Sequence, residues 1–143
     1  MDDVIAFFDS NVIVAASIAE HAHHDVASAR VTRFAHGGGA CAAHSLAEVF
    51  NTLTRSSAYG IPPADASVIV KHAATTYRLI TLTGTETAKV IEEAARDGLA
   101  GPIIFDALLI ACARKAKARF IYTGNVRHFR LIAPDLASRI VNP

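Results

Sequence analysis

VIAFFDSN, residues 4–11, places five apolar residues directly before Asp9, Ser10 and Asn11. An unbroken apolar run of this length, rich in β-branched and aromatic residues, is typical of a strand buried on both faces in a parallel sheet. The residues after Asn11 are apolar again and have helical character. The stretch therefore predicts a strand that passes directly into a helix, with a carboxylate and an amide at the junction.

The same alternation of strand-like and helical segments continues along the chain. Strands are predicted at 39–43, near 79–82, at 119–123 and at 139–141, and helices at 45–55, 62–79, 83–101 and 106–117. Strands that alternate with helices in this way are typical of a parallel sheet covered by helices. The predicted fold class is α/β, as a three-layer α/β/α sandwich with a mainly parallel central sheet.

Length and composition predict one folded domain over residues 1–143. The chain is 52% apolar and 19% charged, a composition that excludes a disordered chain. No apolar run reaches the roughly 18 residues of a membrane span, and Asp2 and Asp3 stand where a signal peptide would carry basic residues. We therefore expect a cytoplasmic protein with no membrane segment, in which Cys41 and Cys112 are buried, reduced thiols.

Charge is distributed unevenly along the chain. Residues 1–106 contain seven Lys/Arg and twelve Asp/Glu, whereas residues 107–143 contain seven Lys/Arg and a single acid, Asp135. A basic C-terminal quarter is suited to binding phosphates. Alternatively, Arg114, Lys115 and Lys117 complement the dipole at the C-terminal end of a helix. Both interpretations remain open for these side chains.

Acidic residues lie near several predicted strand–helix junctions. Asp9 follows the first strand, Glu48 lies just after the second, and Asp106 begins the helix that leads into 119–123. Ligands of open α/β sheets bind at the carboxyl ends of the strands, and Mg²⁺ or Mn²⁺ prefers clustered oxygen ligands. Each acid also has a structural explanation, because Asp9 and Asp106 fit helix N-caps and Ser45 with Glu48 matches a capping box.

Four ordered motifs together resemble a known family. They are FFDSNV (7–12), SLAEVxN (45–51), FDALLIAxA (105–113) and YTxNxxxF (122–129), followed by a terminal VNP. In this order and spacing the chain resembles the PIN-domain ribonucleases, and within them the VapC-type toxins of toxin–antitoxin modules. The resemblance extends over essentially the whole chain.

The resemblance implies a metal-dependent endoribonuclease that hydrolyses RNA phosphodiester bonds and leaves a 5′-phosphate and a 3′-hydroxyl. It puts Asp9, Glu48 and Asp106 in the positions of the catalytic, metal-binding acids. Asp9 and Asp106 would bind Mg²⁺ or Mn²⁺, and Glu48 would be a further ligand or a base that orients water.

Asn125 occupies the family's fourth acidic position, where it offers a carbonyl oxygen without charge, and His128 stands where many relatives carry another aspartate. Arg127, His128 and Arg130 are the residues predicted to bind RNA, although His128 also fits a solvated loop. The implied partners are RNA, with tRNA and rRNA as candidates, a cognate antitoxin and a second copy of the chain in a homodimer. The residues predicted to support the metal ligands are Ser10, Asn11, Thr123 and Asn125.

Two other functions are compatible with parts of the sequence. A haloacid-dehalogenase-type phosphatase also ends its first strand in D-x-D, but Asn11 replaces its general acid here. A degenerate PIN-like module would bind RNA or a protein without cutting, and Asn125 and His128 keep this alternative open. The remaining histidines of interest, His21, His23 and His24 in EHAHHD and His44 before Ser45, are interpreted as loop or packing residues.

Overall fold

The computed structural model of the protein describes residues 3–34 and 36–143. Asp2, used above to argue against a signal peptide, lies outside the described residues. The described chain contains a five-stranded sheet in the order β3-β2-β1-β4-β5, and every strand pair in it is parallel. The strands are β1 (Ala6–Phe8), β2 (Gly39–Ala42), β3 (Arg78–Ile80), β4 (Phe120–Tyr122) and β5 (Ile140–Val141).

The first strand is the central one. Phe7 pairs with Ala40 on one side and with Ile121 on the other. Phe7 and Phe8 are fully buried and belong to two different hydrophobic clusters, one on each face of the sheet, because successive strand residues point to opposite faces. This explains the unbroken apolar sequence of the strand.

Helices cover both faces of the sheet. One cluster packs residues from the helices at 10–17, 24–33, 45–54 and 63–76 against β1 and β2, and the other packs residues from the helices at 103–115 and 126–132. The predicted three-layer α/β/α sandwich is confirmed. The helices are α1 (Ser10–Ser17), α2 (His24–Arg33), α3 (Ser45–Thr54), α4 (Pro63–Thr76), α5 (Gly84–Arg96), α6 (Ile103–Lys115) and α7 (Val126–Ile132), followed by a 3₁₀-helix (Pro134–Arg139).

Helix α6 corrects one boundary and one role. It was predicted to begin after Asp106, with that residue as its N-cap, but it begins at Ile103, directly after Pro102. Asp106 therefore lies within the first turn of the helix. An acid in the first turn also interacts favourably with the helix dipole, which is why the local sequence does not distinguish the two positions.

Helices α2 and α7 were not identified from the sequence. The tight connection into α2 is held by His24, whose Nδ1 donates a hydrogen bond to the carbonyl oxygen of Ala15 at 2.9 Å. His21 and His23 lie in the loop between α1 and α2, as predicted, whereas His24 is the first residue of α2.

Both cysteines are buried free thiols, as predicted. Burial raises the pKa of Cys41 to about 12 and that of Cys112 to about 11. Such thiols are unreactive near neutral pH. Within the described residues, no helix has the length and apolar character needed to cross a membrane.

Candidate active site

Asp9 lies at the carboxyl end of β1, with only 4% of its surface exposed. Its Oδ2 accepts a 2.7 Å hydrogen bond from the hydroxyl of Thr123, which directly follows β4 and is fully buried. Asp9 occupies the N-cap position of α1, but within the described chain its side chain does not make the capping hydrogen bond to that helix. The N-cap interpretation of this carboxylate is therefore wrong.

Glu48 reaches the same edge of the sheet from α3. The hydroxyl of Ser10 lies 3.0 Å from Glu48 Oε2 and 3.4 Å from Asp9 Oδ1, so it stands between the two carboxylates. The predicted capping box of Ser45 and Glu48 does not form, because α3 has no side-chain cap and Ser45 Oγ has no hydrogen-bond partner among the described residues. The Glu48 carboxylate instead faces Asp9.

His44 approaches Glu48 from the other side. Its Nε2 lies 3.5 Å from Glu48 Oε1, one helical turn away. The sequence analysis assigned His44 to packing or to a loop, yet the structure puts its ring against a predicted catalytic acid. The only signal in the sequence was the spacing of four residues between His44 and Glu48, which brings side chains together on a helix.

The three acids influence one another electrostatically. Burial raises the pKa of Asp9 to about 6; the hydrogen bond from Thr123 opposes this effect, and the negative charges of Asp106 and Glu48 add to it. Burial also raises the pKa of Asp106, Glu48 contributes to the rise, and His128 opposes it. Like charges gathered in a poorly solvated site favour a cation between them.

Asn11 and Asn125 connect the ends of β1 and β4. Asn11 Oδ1 accepts a 3.2 Å hydrogen bond from the N–H of Gly124, and the Thr123 hydroxyl oxygen accepts one from the N–H of Asn125 at 2.9 Å. A Cβ atom at position 124 would lie 3.3 Å from Asn11 Nδ2, so the absence of a side chain at Gly124 permits this close approach. Four predicted supporting residues, Ser10, Asn11, Thr123 and Asn125, therefore meet around Asp9.

The predicted RNA-binding residues lie on α7. The guanidinium of Arg130 donates hydrogen bonds to the carbonyl oxygens of Ala137 and Ile140, at 3.1 and 2.8 Å, and so ties α7 to β5. Arg127 and Arg130 line a shallow groove of about 590 Å³. His128 is close enough to the acids to lower the pKa of Asp106.

The donor set was compared with the requirements of a divalent cation. Among the described residues, no group of three His, Cys, Asp or Glu side chains is arranged to hold a metal ion. Mg²⁺ seldom uses a cage made entirely of protein, since it keeps several waters and is usually bound by one or two carboxylates together with substrate phosphates. Two or three oxygen donors of mutually raised pKa, next to an open surface, fit such an ion.

The PIN-domain family model matches residues 6–133, and the chain therefore belongs to the PIN-domain family. This match covers every strand of the sheet except β5 and includes all three predicted catalytic acids. A comparison with curated protein sequences yields no significant match.

Two solved structures are similar to this chain over most of its length. One is VapC20 of Mycobacterium tuberculosis, described as a toxin that cleaves the sarcin–ricin loop, with a TM-score of 0.67, 19% sequence identity and coverage of 86% of this chain and 92% of that one. The other is VapBC2 from Rickettsia felis, bound to a DNA fragment from its promoter, with a TM-score of 0.68, 17% identity and coverage of 97% and 98%. At these identities the comparisons establish a shared fold.

Proposed function

We propose that the protein is a divalent-metal-dependent endoribonuclease and the toxin of a toxin–antitoxin pair. The observation that carries the proposal is the burial of Asp9 beside two other carboxylates at the carboxyl end of the central strand. Membership of the PIN-domain family and the shared fold with VapC toxins support the same conclusion.

Asp9 and Asp106 would hold the metal, which we propose to be Mg²⁺ or Mn²⁺. A bound divalent cation supplies charge neutralisation at the phosphodiester and lowers the pKa of water, which favours in-line attack. The hydrogen bond from Thr123 holds the Asp9 carboxylate in one orientation, with Oδ2 engaged. Asn125 adds a neutral oxygen at the edge of the site.

Glu48 would be a further ligand or the base that orients the attacking water. In the second role its carboxylate accepts a proton from that water as the new bond to phosphorus forms. Ser10 and His44 contact its two oxygens from opposite sides, which restricts the rotation of the carboxylate. His44 thus joins the site as a positioning residue.

RNA affinity would come mainly from phosphate contacts along α7. Arg127 and His128 are the foremost candidates, since the guanidinium of Arg130 is already hydrogen-bonded to two carbonyl groups. Binding dominated by phosphate contacts weakens steeply as salt is raised. We further propose that residues 1–143 act as one domain, that the chain forms a homodimer and that it works in the cytoplasm with a cognate antitoxin.

The nuclease proposal is tested by incubating the purified protein with structured RNA in Mg²⁺, in Mn²⁺ and in EDTA. Asp9→Asn and Asp106→Asn should each reduce cleavage at least about 100-fold, since even residues that only support metal ligands typically contribute 10- to 100-fold. Asp65→Asn, which alters an exposed acid in the first turn of α4, is the matched control and should cleave normally. Equal degradation by all four proteins, or undiminished degradation in EDTA, would show that the site is wrong.

The toxin proposal is tested in growing cells. Induction of the native chain should arrest growth, induction of Asp9→Asn should not, and co-expression of an antitoxin encoded beside the gene should restore growth. Binding of RNA without any cleavage, combined with normal growth, would instead identify a binding module, the alternative that the uncharged Asn125 favours.

A further inference from the structure

A pocket of about 540 Å³ lies beside the candidate active site. It opens between the loop that joins α1 to α2 and the segment that follows β4. None of the predicted roles makes use of it, and the histidines on its wall were interpreted as loop residues. The side chains that matter for its chemistry are Asn11, His21, His23, Val26, Asn125 and Asn142.

The pocket is continuous with the surroundings of Asp9. Asn11, on its wall, is two residues beyond Asp9, and Gly124 and Asn125 directly follow Thr123. The hydrogen bond between Asn11 and the N–H of Gly124 joins these two walls. A strand with one phosphate at Asp9 therefore has this pocket within reach of a neighbouring nucleotide.

The lining is neutral, flat and amide-rich. The described residues that line the pocket include no Asp, Glu, Lys or Arg, so the pocket is poorly suited to a phosphate or a metal ion. The rings of His21 and His23 lie 5.7 Å apart with an interplanar angle of 48°. Aromatic rings stack on unpaired bases, and amide side chains match the hydrogen-bonding edges of bases.

Backbone contacts hold the histidine wall in place. His21 Nδ1 accepts a 3.0 Å hydrogen bond from the N–H of His23, so the proton of the neutral His21 ring is on Nε2, where it can donate to a base. His24 Nδ1 anchors the end of the same loop on Ala15. Val26, which is 51% exposed, supplies an apolar surface beside the rings.

A cationic groove adjoins this neutral pocket. Gly124 and Asn142 line both, and the groove also contains Arg127 and Arg130. One side of the shared wall therefore suits a sugar–phosphate backbone and the other suits an uncharged ring. This division matches the two parts of a nucleotide.

We propose that the pocket binds one unpaired nucleobase of the RNA strand, next to the phosphodiester held at Asp9. The inference rests on the proposed ribonuclease function and adds a substrate class to it, namely RNA in which a nucleotide beside the cleaved bond is unpaired and free to turn outward. His21 and His23 stack on or flank this base, and the asparagines contact its edge.

The test measures binding of a fluorescein-labelled single-stranded RNA hexamer by fluorescence anisotropy. A set of hexamers in which each position in turn is abasic is compared with the intact strand. The measurements are made in EDTA and again in Ca²⁺, and a gel verifies that the strands stay uncut. For the native chain, we expect one abasic position to weaken binding about tenfold, in line with the loss of one stacked base.

Two variants locate that loss. In the double variant His21→Ala/His23→Ala, the abasic penalty should fall below about twofold, since the stacking partners are gone. Val26→Lys provides a second variant at an exposed position, where the native fold tolerates a change. Its added charge strengthens binding of every strand, but its longer side chain fills the pocket and should reduce the abasic penalty in the same way.

Matched controls come from α4. His72→Ala and Val68→Lys repeat the two chemical changes at residues that line a different groove, and Val68 is 66% exposed. Both should keep the full abasic penalty. If the two pocket variants keep it as well, or if no abasic position matters to the native chain, the pocket assignment is wrong while the ribonuclease proposal stands. If the native chain neither binds nor cuts any RNA, both proposals fail.

Discussion

Two carboxylates near helix starts, Glu86 and Asp9, are held in opposite ways. Glu86 accepts a hydrogen bond from Lys115 Nζ at 2.7 Å and another from the N–H of Thr83, and these contacts lower its pKa to about 2. Asp9 is buried beside other acids, and its pKa is raised to about 6. One environment stabilises the charged form of the acid, and the other destabilises it.

The difference separates an acid that supports the fold from an acid that does not. Thr83 and Glu86 form a complete capping box, and Lys115 connects α6 to it. Among the described residues, no Lys or Arg forms an ion pair with Asp9 or Asp106. A buried, uncompensated carboxylate lowers stability, and Asp9 therefore stands where a bound cation would have the largest effect.

Asp9→Asn should produce the largest change in this comparison, measured by urea unfolding in EDTA. The folded pKa of about 6 exceeds the ordinary 3.8, so the folded chain binds the proton more tightly and loses stability as pH rises through this interval. At pH 8 the variant should be about 2 to 3 kcal/mol more stable than the native chain, with the gain disappearing below about pH 4. Asp65→Asn is the control, and the idea fails if Asp9→Asn and native chains show the same pH dependence.

Thr123→Val should have the next largest effect. Thr123 is fully buried, donates to Asp9 and accepts from the N–H of Asn125. Removal of the hydroxyl leaves both partners without it and should reduce the unfolding free energy by about 2 kcal/mol at pH 8. The exposed Thr87, whose hydroxyl donates to the Thr83 carbonyl, serves as control. A Thr87→Val variant that lost as much stability would show that the buried network has no special weight.

Ser10→Ala should reduce RNA cleavage about tenfold, at the lower end of the range for groups that orient catalytic ligands. Its hydroxyl is 3.0 Å from Glu48 Oε2, and without it the carboxylate rotates more freely. Ser17→Ala removes a hydroxyl from the same helix, where it donates to the carbonyl of Ile13, and should cleave RNA normally. Equal rates for both variants would remove Ser10 from the site.

Glu86→Gln should have the smallest effect, because the contacts of Glu86 are exposed and screened by solvent. The lowered pKa means that the stabilisation by Glu86 is present above about pH 4.5 and disappears as pH falls towards about 2, an interval lower than that of Asp9. Thermal unfolding from pH 2 to pH 7 should show the native chain and the variant converging at the acidic end. Convergence at neutral pH instead would contradict the contrast with Asp9.

The strands and the three acids could be predicted because they depend on local patterns. VIAFF is apolar throughout because both faces of β1 are covered, and acids at strand ends mark the ligand-binding edge of a parallel sheet. Helix α7 was missed because its seven residues, VRHFRLI, are too few to show a clear period. The end of α5 was placed correctly, since Gly98 follows it with a φ of 70°, a conformation that glycine adopts readily.

Contacts between distant segments were beyond the sequence. Nothing local indicates that the guanidinium of Arg130 turns back to the carbonyls of Ala137 and Ile140, so its charge was counted as available for RNA. The contact of His44 with Glu48 likewise depends on how α3 begins. Both cases involve side-chain directions, which residue type and spacing constrain only weakly.

The central position of β1 has a consequence for synthesis of the chain. Asp9 is made almost first, yet its hydrogen-bond donor, Thr123, lies 114 residues later, and β4 and β5 complete the sheet only after that. At roughly 5 to 20 residues per second, a ribosome needs several seconds to make the intervening segment. Until then the polypeptide carries Asp9 without the strand that orients it, so a nuclease that attacks cellular RNA would remain inert on the ribosome that produces it.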